Sequence, residues 1–176
     1  MKPNILMLND MNSLKPIAEK TVNALIEKNK QIATAESCTG GLLSALITSV
    51  SGASAVFGLG VWSYSPAAKQ EILHVSSETL EKYGTVSPYT AREMAENVRK
   101  IAFADIGVSV TGVAGPNMSE GKPVGLVYIA LSDGINTSFK ELNIENLGRD
   151  FIRNTAALEV FRLILDYFNL EEDYAL

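Results

Sequence analysis

Three stretches of the chain carry residue types that can do chemistry. The first is TAESCTGG, Thr34 to Gly41, where an acid, hydroxyls, the only cysteine and two adjacent glycines lie between two apolar runs. A strand running into a helix through a glycine pair leaves free N–H groups at the helix start, where the dipole favours an anion. Gly40 and Gly41 permit close backbone approach, and Ser37 and Thr39 add hydroxyls, so the stretch reads as a cradle for phosphate or carboxylate. The same pattern serves a plain strand-to-helix turn, or a reactive site built on Ser37 or Cys38. A thiol near a helix start can be acidified, but its base would have to be His74, the sole histidine. Otherwise Cys38 packs as a small hydrophobe.

The second stretch runs from Ser51 to Lys69, SGASAVFGLGVWSYSPAAK. Ser65-Pro66 is a helix start, which makes Lys69 an early helical residue whose side chain leans back toward Tyr64. The positive end of the helix dipole and burial against a sheet both disfavour an ammonium there. A lysine that sheds its proton near neutral pH can be a general base, and Ser54, on a tight connection after Gly52, is a candidate nucleophile for a Ser–Lys pair. Tyr64 could relay a proton or orient the amine. The plainer alternatives are a turn serine, an edge aromatic and a solvated lysine.

The third stretch is TGVAGPNMSEGKPVG, Thr111 to Gly125. Its glycines, Gly112 and Gly115 first, open a loop at the C-terminal end of a strand, where open α/β sheets collect their ligands. Arg149 and Arg153 stand four apart at the start of the last helix and could hold a phosphate on one face, or could form a solvated edge.

The elements that position these stretches follow from periodicity. Helices are predicted from Ser13, as cap, to about Glu27, over Leu42–Val50, from Pro66 to about Leu73, over SSETLEKYG with Gly84 as its stop, from the Ser87 cap through Ala102, and over Arg149–Phe168. Strands are predicted over Gln31–Ala35, Phe57–Tyr64 (weakened or bulged by Gly58 and Gly60), Ile106–Thr111, Val124–Ser132 and Ile135–Ile144, with Asp133-Gly134 as a hairpin turn. Crossovers mixed with one hairpin predict a single-domain α/β/α layered sandwich with a mixed sheet.

The totals narrow the function classes. The 176 residues suit one domain with a full core. A net charge of −5 without a basic block argues against a sequence-independent nucleic-acid surface. One cysteine and one histidine exclude an internal disulfide and argue against a protein-only zinc site. The N-terminal MKPNILMLNDMN lacks a signal-peptide pattern, and no apolar run reaches the roughly 18 residues of a membrane span, so a cytoplasmic protein is expected.

The motifs AESCTGG (35–41), SGASAVF (51–57), YSPAAK (64–69), TVS (85–87), GVAGP (112–116), KPVG (122–125) and GRDFIR (148–153), in this order, resemble the CinA C-terminal domain family. The resemblance runs from about residue 12 to 168 and covers the chain as one CinA-like amidohydrolase domain. Enzymes of that family hydrolyse the carboxamide of nicotinamide mononucleotide to nicotinic acid mononucleotide and ammonia. The resemblance implies a homo-oligomer, dimer or higher, without metal or cofactor, whose partner is the nucleotide substrate rather than nucleic acid or membrane. It implies Ser54 as nucleophile, Lys69 as base and Tyr64 as assistant. Ser37, Thr39, Gly40, Gly41, Gly112, Gly115 and Arg149 then form the nucleotide pocket, and Cys38 is packing. Pro66, Asn97 and Asn117-Met118-Ser119 depart from the family pattern, the last of these within the pocket loop. The readings left as rivals are a catalytically silent nucleotide-binding or competence- and repair-associated module, and a thiol amidohydrolase built on Cys38.

Overall fold

The computed structural model describes residues 10–170. The start of the N-terminal run (1–9) and the acidic tail (171–176) lie outside the described residues. A five-stranded sheet with strand order β2-β1-β3-β4-β5 forms the middle layer. Its strands are β1 (Ile32–Glu36), β2 (Phe57–Trp62), β3 (Ile106–Gly112), β4 (Leu126–Ser132) and β5 (Thr137–Asn143). β1 runs parallel to β2 and β3, and β4 and β5 are antiparallel additions. β1 is buried at every position and β3 at all but Gly112, because helices cover both faces of the parallel part. β5, at the edge, has no fully buried residue.

Six α-helices complete the described fold: α1 (Lys15–Glu27), α2 (Leu42–Thr48), α3 (Pro66–Glu71), α4 (Ser77–Tyr83), α5 (Pro88–Ala102) and α6 (Arg149–Tyr167). α1, α2 and α6 cover one face, where Leu14, Leu25, Leu43, Val108, Ile129 and Phe161 belong to the main core. α5 covers the other face with Ala91, Met94, Ala95 and Val98, as its spacing predicts. Small residues let it lie close. A Cβ on Gly107 would overlap the carbonyl oxygen of Ala95, and Ser109 Oγ donates to the Ala91 carbonyl at 2.6 Å.

The predicted starts at Ser65 and Ser87 are side-chain caps: each hydroxyl accepts an N–H of the first turn, from Ala68 and Thr90. Ser76 caps α4 in the same way, and Gly84 ends that helix at φ +79°. Gly58 is the extra residue of a bulge, since Ile32 pairs with Phe57 and Ala33 with Leu59. Ser13 does not cap α1. It lies in a 3-10 turn, Met11–Leu14, capped by Asp10, and α1 begins after it. The hairpin turn is longer than Asp133-Gly134 alone: Asp133 Oδ1 accepts the N–H groups of Ile135 and Asn136, which delays β5 to Thr137.

Candidate functional site

The parallel strands β1, β2 and β3 all end on one edge of the sheet, and Ser37, Ser63-Tyr64 and Val113-Ala114 follow those ends directly. Ser37 N–H donates to the Val110 carbonyl at 3.0 Å and Ser63 N–H to the Glu36 carbonyl at 2.8 Å, so the ladders continue one step and fix both residues. A cavity of about 200 Å³ opens there.

Lys69 lies beneath this cavity and is 1% exposed. The Ser65 cap and the first turn of α3 point its side chain back under the sheet edge. Its Nζ donates to Ser37 Oγ at 3.0 Å and to the Ser63 carbonyl at 2.6 Å. Burial lowers the ammonium pKa from 10.5 to about 8, against the opposing pull of Cys38 and Glu120. The expected early-helix lysine with an accessible neutral form is therefore present, but its hydroxyl partner is Ser37.

Ser54 does not reach Lys69. It is exposed, in the 3-10 turn Ala53–Ala55 that precedes β2, whereas Lys69 follows the other end of that strand. A six-residue strand at about 3.3 Å per residue puts roughly 20 Å between the two. The expected Ser54–Lys69 pair is therefore not formed, because spacing along the chain does not say at which end of a strand a residue lies.

The expected anion cradle is occupied from within the protein. The buried carboxylate of Glu36 folds back over the start of α2. Its Oε2 accepts from Thr39 Oγ1 (2.8 Å), Gly41 N–H (3.0 Å) and Leu43 N–H (3.0 Å). Its Oε1 accepts from Ser44 N–H (2.9 Å) and Ser44 Oγ (2.7 Å). Gly40 N–H donates to the Ser37 carbonyl at 3.1 Å. The Thr39 hydroxyl and the Gly40 and Gly41 N–H groups are thus engaged inside the protein. Sequence reasoning missed the role of Glu36, and an acid just before a glycine-rich helix start was the signal for it.

Cys38 borders the cavity but is 4% exposed, and burial pushes its thiol up to about 12. His74 is exposed, beyond α3, and is not among the cavity residues. A Cys38–His74 pair is not formed. Of the other expected residues, Ser37, Tyr64, Gly112, Gly115 and Arg149 do meet around the cavity. Arg149 Nη2 donates to Tyr64 Oη at 3.0 Å and Nη1 to the Gly115 carbonyl at 2.6 Å, which ties α6 to two sides of the mouth. Arg153 instead donates to the Thr39 carbonyl at 2.7 Å and pairs with Asp150 at 3.3 Å, so the two arginines do not share one ligand. Thr85 and Val86, which sequence reasoning gave no site role, also line the cavity, together with Asn117 and Ser119 of the expected pocket loop. Among the described residues no cluster of three or more His, Cys, Asp or Glu side chains could hold a metal. No helix there is long and apolar enough to cross a membrane.

A mixed α/β domain with a buried lysine on a serine at the strand ends defines a class with many members, and the comparisons narrow it. Residues 14–168 match the model of the CinA C-terminal domain, and the chain belongs to that family. A protein of Acetivibrio thermocellus, named as competence-damage inducible, is 55% identical over 144 residues, covering 81% of this chain and 35% of the relative. A CinA-like protein of Syntrophomonas wolfei is 48% identical over 141 residues, 80% of this chain and 34% of that protein. The chain spans about a third of the length of these relatives. Among solved structures, the competence/damage inducible protein CihA of Agrobacterium tumefaciens is 34% identical, with a TM-score of 0.83 over 87% of this chain and 94% of that one. The competence damage-inducible protein A of Klebsiella pneumoniae is 29% identical, with a TM-score of 0.86 over 90% and 98%.

Proposed function

We propose that this domain hydrolyses a carboxamide, that of nicotinamide mononucleotide being the substrate its family resemblance suggests, with Ser37 as nucleophile and Lys69 as base. The observation that carries the reading is the 3.0 Å contact between a buried lysine amine and a serine hydroxyl beside a cavity. The neutral amine takes the Ser37 proton as Oγ attacks the carboxamide carbon. The Ser63 carbonyl holds the amine in place throughout. The oxyanion forms against N–H groups of the turn at residues 38–39, because the flanking Ser37 and Gly40 N–H groups are engaged elsewhere. The protonated Lys69 then gives its proton to the leaving nitrogen, and ammonia departs. Water, deprotonated by Lys69, hydrolyses the acyl-serine and restores Ser37. Arg149 takes the substrate phosphate at the mouth, and Tyr64 is released from Arg149 to border the bound ring. The working state is taken to be a cytoplasmic homo-oligomer.

The test is ammonia release from nicotinamide mononucleotide, in parent, Ser37→Ala and Ser54→Ala forms. Ser37→Ala is expected to lose at least about a thousandfold in kcat, and Ser54→Ala to keep the parent rate. The reverse order would restore the Ser54 assignment. Folded parent that binds the nucleotide and releases no ammonia would make this a binding module.

A further inference from the structure

Part of the cavity wall comes from the connection between β3 and β4, residues 113–125, which contributes Asn117 and Ser119. An irregular connection of that length needs anchoring if it is to shape a site. Its base is tied by Val113 N–H to the Leu126 carbonyl and Gly125 N–H to the Val113 carbonyl. Its tip is a small hairpin, with Lys122 N–H donating to the Ser119 carbonyl at 2.8 Å and Ser119 N–H to that of Lys122 at 3.3 Å. The two residues between them, Glu120 and Gly121, have φ of +52° and +70°. A two-residue turn with both centres left-handed favours Asn or Asp followed by Gly. Glutamate is a poor choice for that backbone, and a residue held against its preference points to a role for its side chain.

The side chain reaches away from the tip. Glu120 Oε2 accepts Thr85 N–H at 2.9 Å, and Oε1 accepts the Thr85 hydroxyl. Lys122 Nζ pairs with the same carboxylate at 3.3 Å and donates to the Tyr83 carbonyl at 2.9 Å. The turn it holds is itself part of the site. Thr85 lines the cavity, and its carbonyl accepts Thr111 Oγ1 at 2.7 Å from the end of β3. Gly84 leaves room for the contact, since a Cβ there would overlap the Glu120 carboxylate.

We infer that Glu120 is a positioning residue whose carboxylate clasps the β3–β4 connection to the Tyr83–Thr85 turn and so sets the width of the cavity in front of Ser37. Partial burial pushes its carboxyl up, but the bonds from Thr85 and Lys122 outweigh this and hold it below the usual range. The clasp is therefore ionised, and closed, across neutral pH. Asparagine would suit the turn backbone better and is one methylene too short to reach Thr85, while glutamine keeps the reach and one acceptor.

The kinetic part of the test rests on the hydrolase reading, and the exchange part does not. In the whole chain, Glu120→Asn is expected to speed deuterium exchange at the Thr85 amide by roughly tenfold or more, with the melting temperature held. It is expected to raise KM for nicotinamide mononucleotide by roughly tenfold while kcat, read at about pH 9.5 where Lys69 is mostly neutral with or without the Glu120 charge, stays within about twofold. Glu120→Gln is expected to recover part of both effects, which a loss of fold would not allow. Unchanged exchange at Thr85 overturns the clasp, and so does faster exchange with an unchanged KM. Should the parent release no ammonia, the hydrolase reading falls by itself, and Kd for the nucleotide takes the place of KM in judging the clasp.

Discussion

Lys69 holds a charge that burial disfavours and that the proposed mechanism needs it to lose. General-base action requires the neutral amine, so kcat/KM is expected to rise with pH through about 8 and level off above it. A pH–rate profile checks this, and a profile flat from pH 6 to about 10 would remove Lys69 from the base role. The same shift bears on stability. The folded pKa, about 8, lies below the unfolded 10.5, so between those values the unfolded chain binds more protons and stability rises with pH. Below about 8 both states carry the proton, and the folded protein bears the full cost of a buried ammonium. Lys69→Met is therefore expected to abolish turnover and raise stability at pH 7 by about 1–2 kcal/mol, once the lost bond to the Ser63 carbonyl is set against the relief. Thermal melts at pH 7 and 9.5 read it, and the gain should shrink at the higher pH.

The elements matter by what they aim. α2 is short, and its start is closed by the Glu36 carboxylate rather than by a ligand. Glu36 also precedes Ser37, so the cap that stabilises α2 fixes the proposed nucleophile. Glu36→Gln puts an amide against donors that need an acceptor and is expected to cost about 3 kcal/mol, read by urea melts, with a fall in kcat from the displaced Ser37. Free phosphate is expected not to stabilise the protein through Gly40 and Gly41, whatever it does at Arg149. On the opposite face, α5 reaches β3 only because position 107 has no side chain. Gly107→Ala is expected to cost about 2 kcal/mol or more, by overlap with backbone that cannot turn aside.

Across the whole molecule, the ends of three parallel strands, the β3–β4 connection and the start of α6 close around one cavity. Arg149 is the tie that spans it, from α6 to Tyr64 and Gly115. Arg149→Ala is expected to raise KM for nicotinamide mononucleotide by roughly tenfold or more and to leave that for the phosphate-free nucleoside nearly unchanged. Equal effects on both substrates would make Arg149 a structural tie and not the phosphate contact.

Most elements were legible in the chain because their signals are local. The serine caps at Ser65 and Ser87, the Gly84 stop, the Gly58 bulge and the face of α5 depend on residues a few positions apart. The layered architecture followed from their order, and the motifs from AESCTGG to GRDFIR pointed to the family that the comparisons show. A lysine near the start of α3, close to the ends of the strands, was legible for the same reason. Which serine it meets was not. Ser37 lies 32 positions from Lys69 and Ser54 only 15, yet strand direction brings the first to 3.0 Å and leaves the second at the far end of β2. Nor could the chain show that the inviting helix start is already filled by Glu36, or that Glu120 reaches back 35 positions to Thr85. Hydrogen bonds between distant segments depend on where the sheet places each strand end, and only the folded chain sets that.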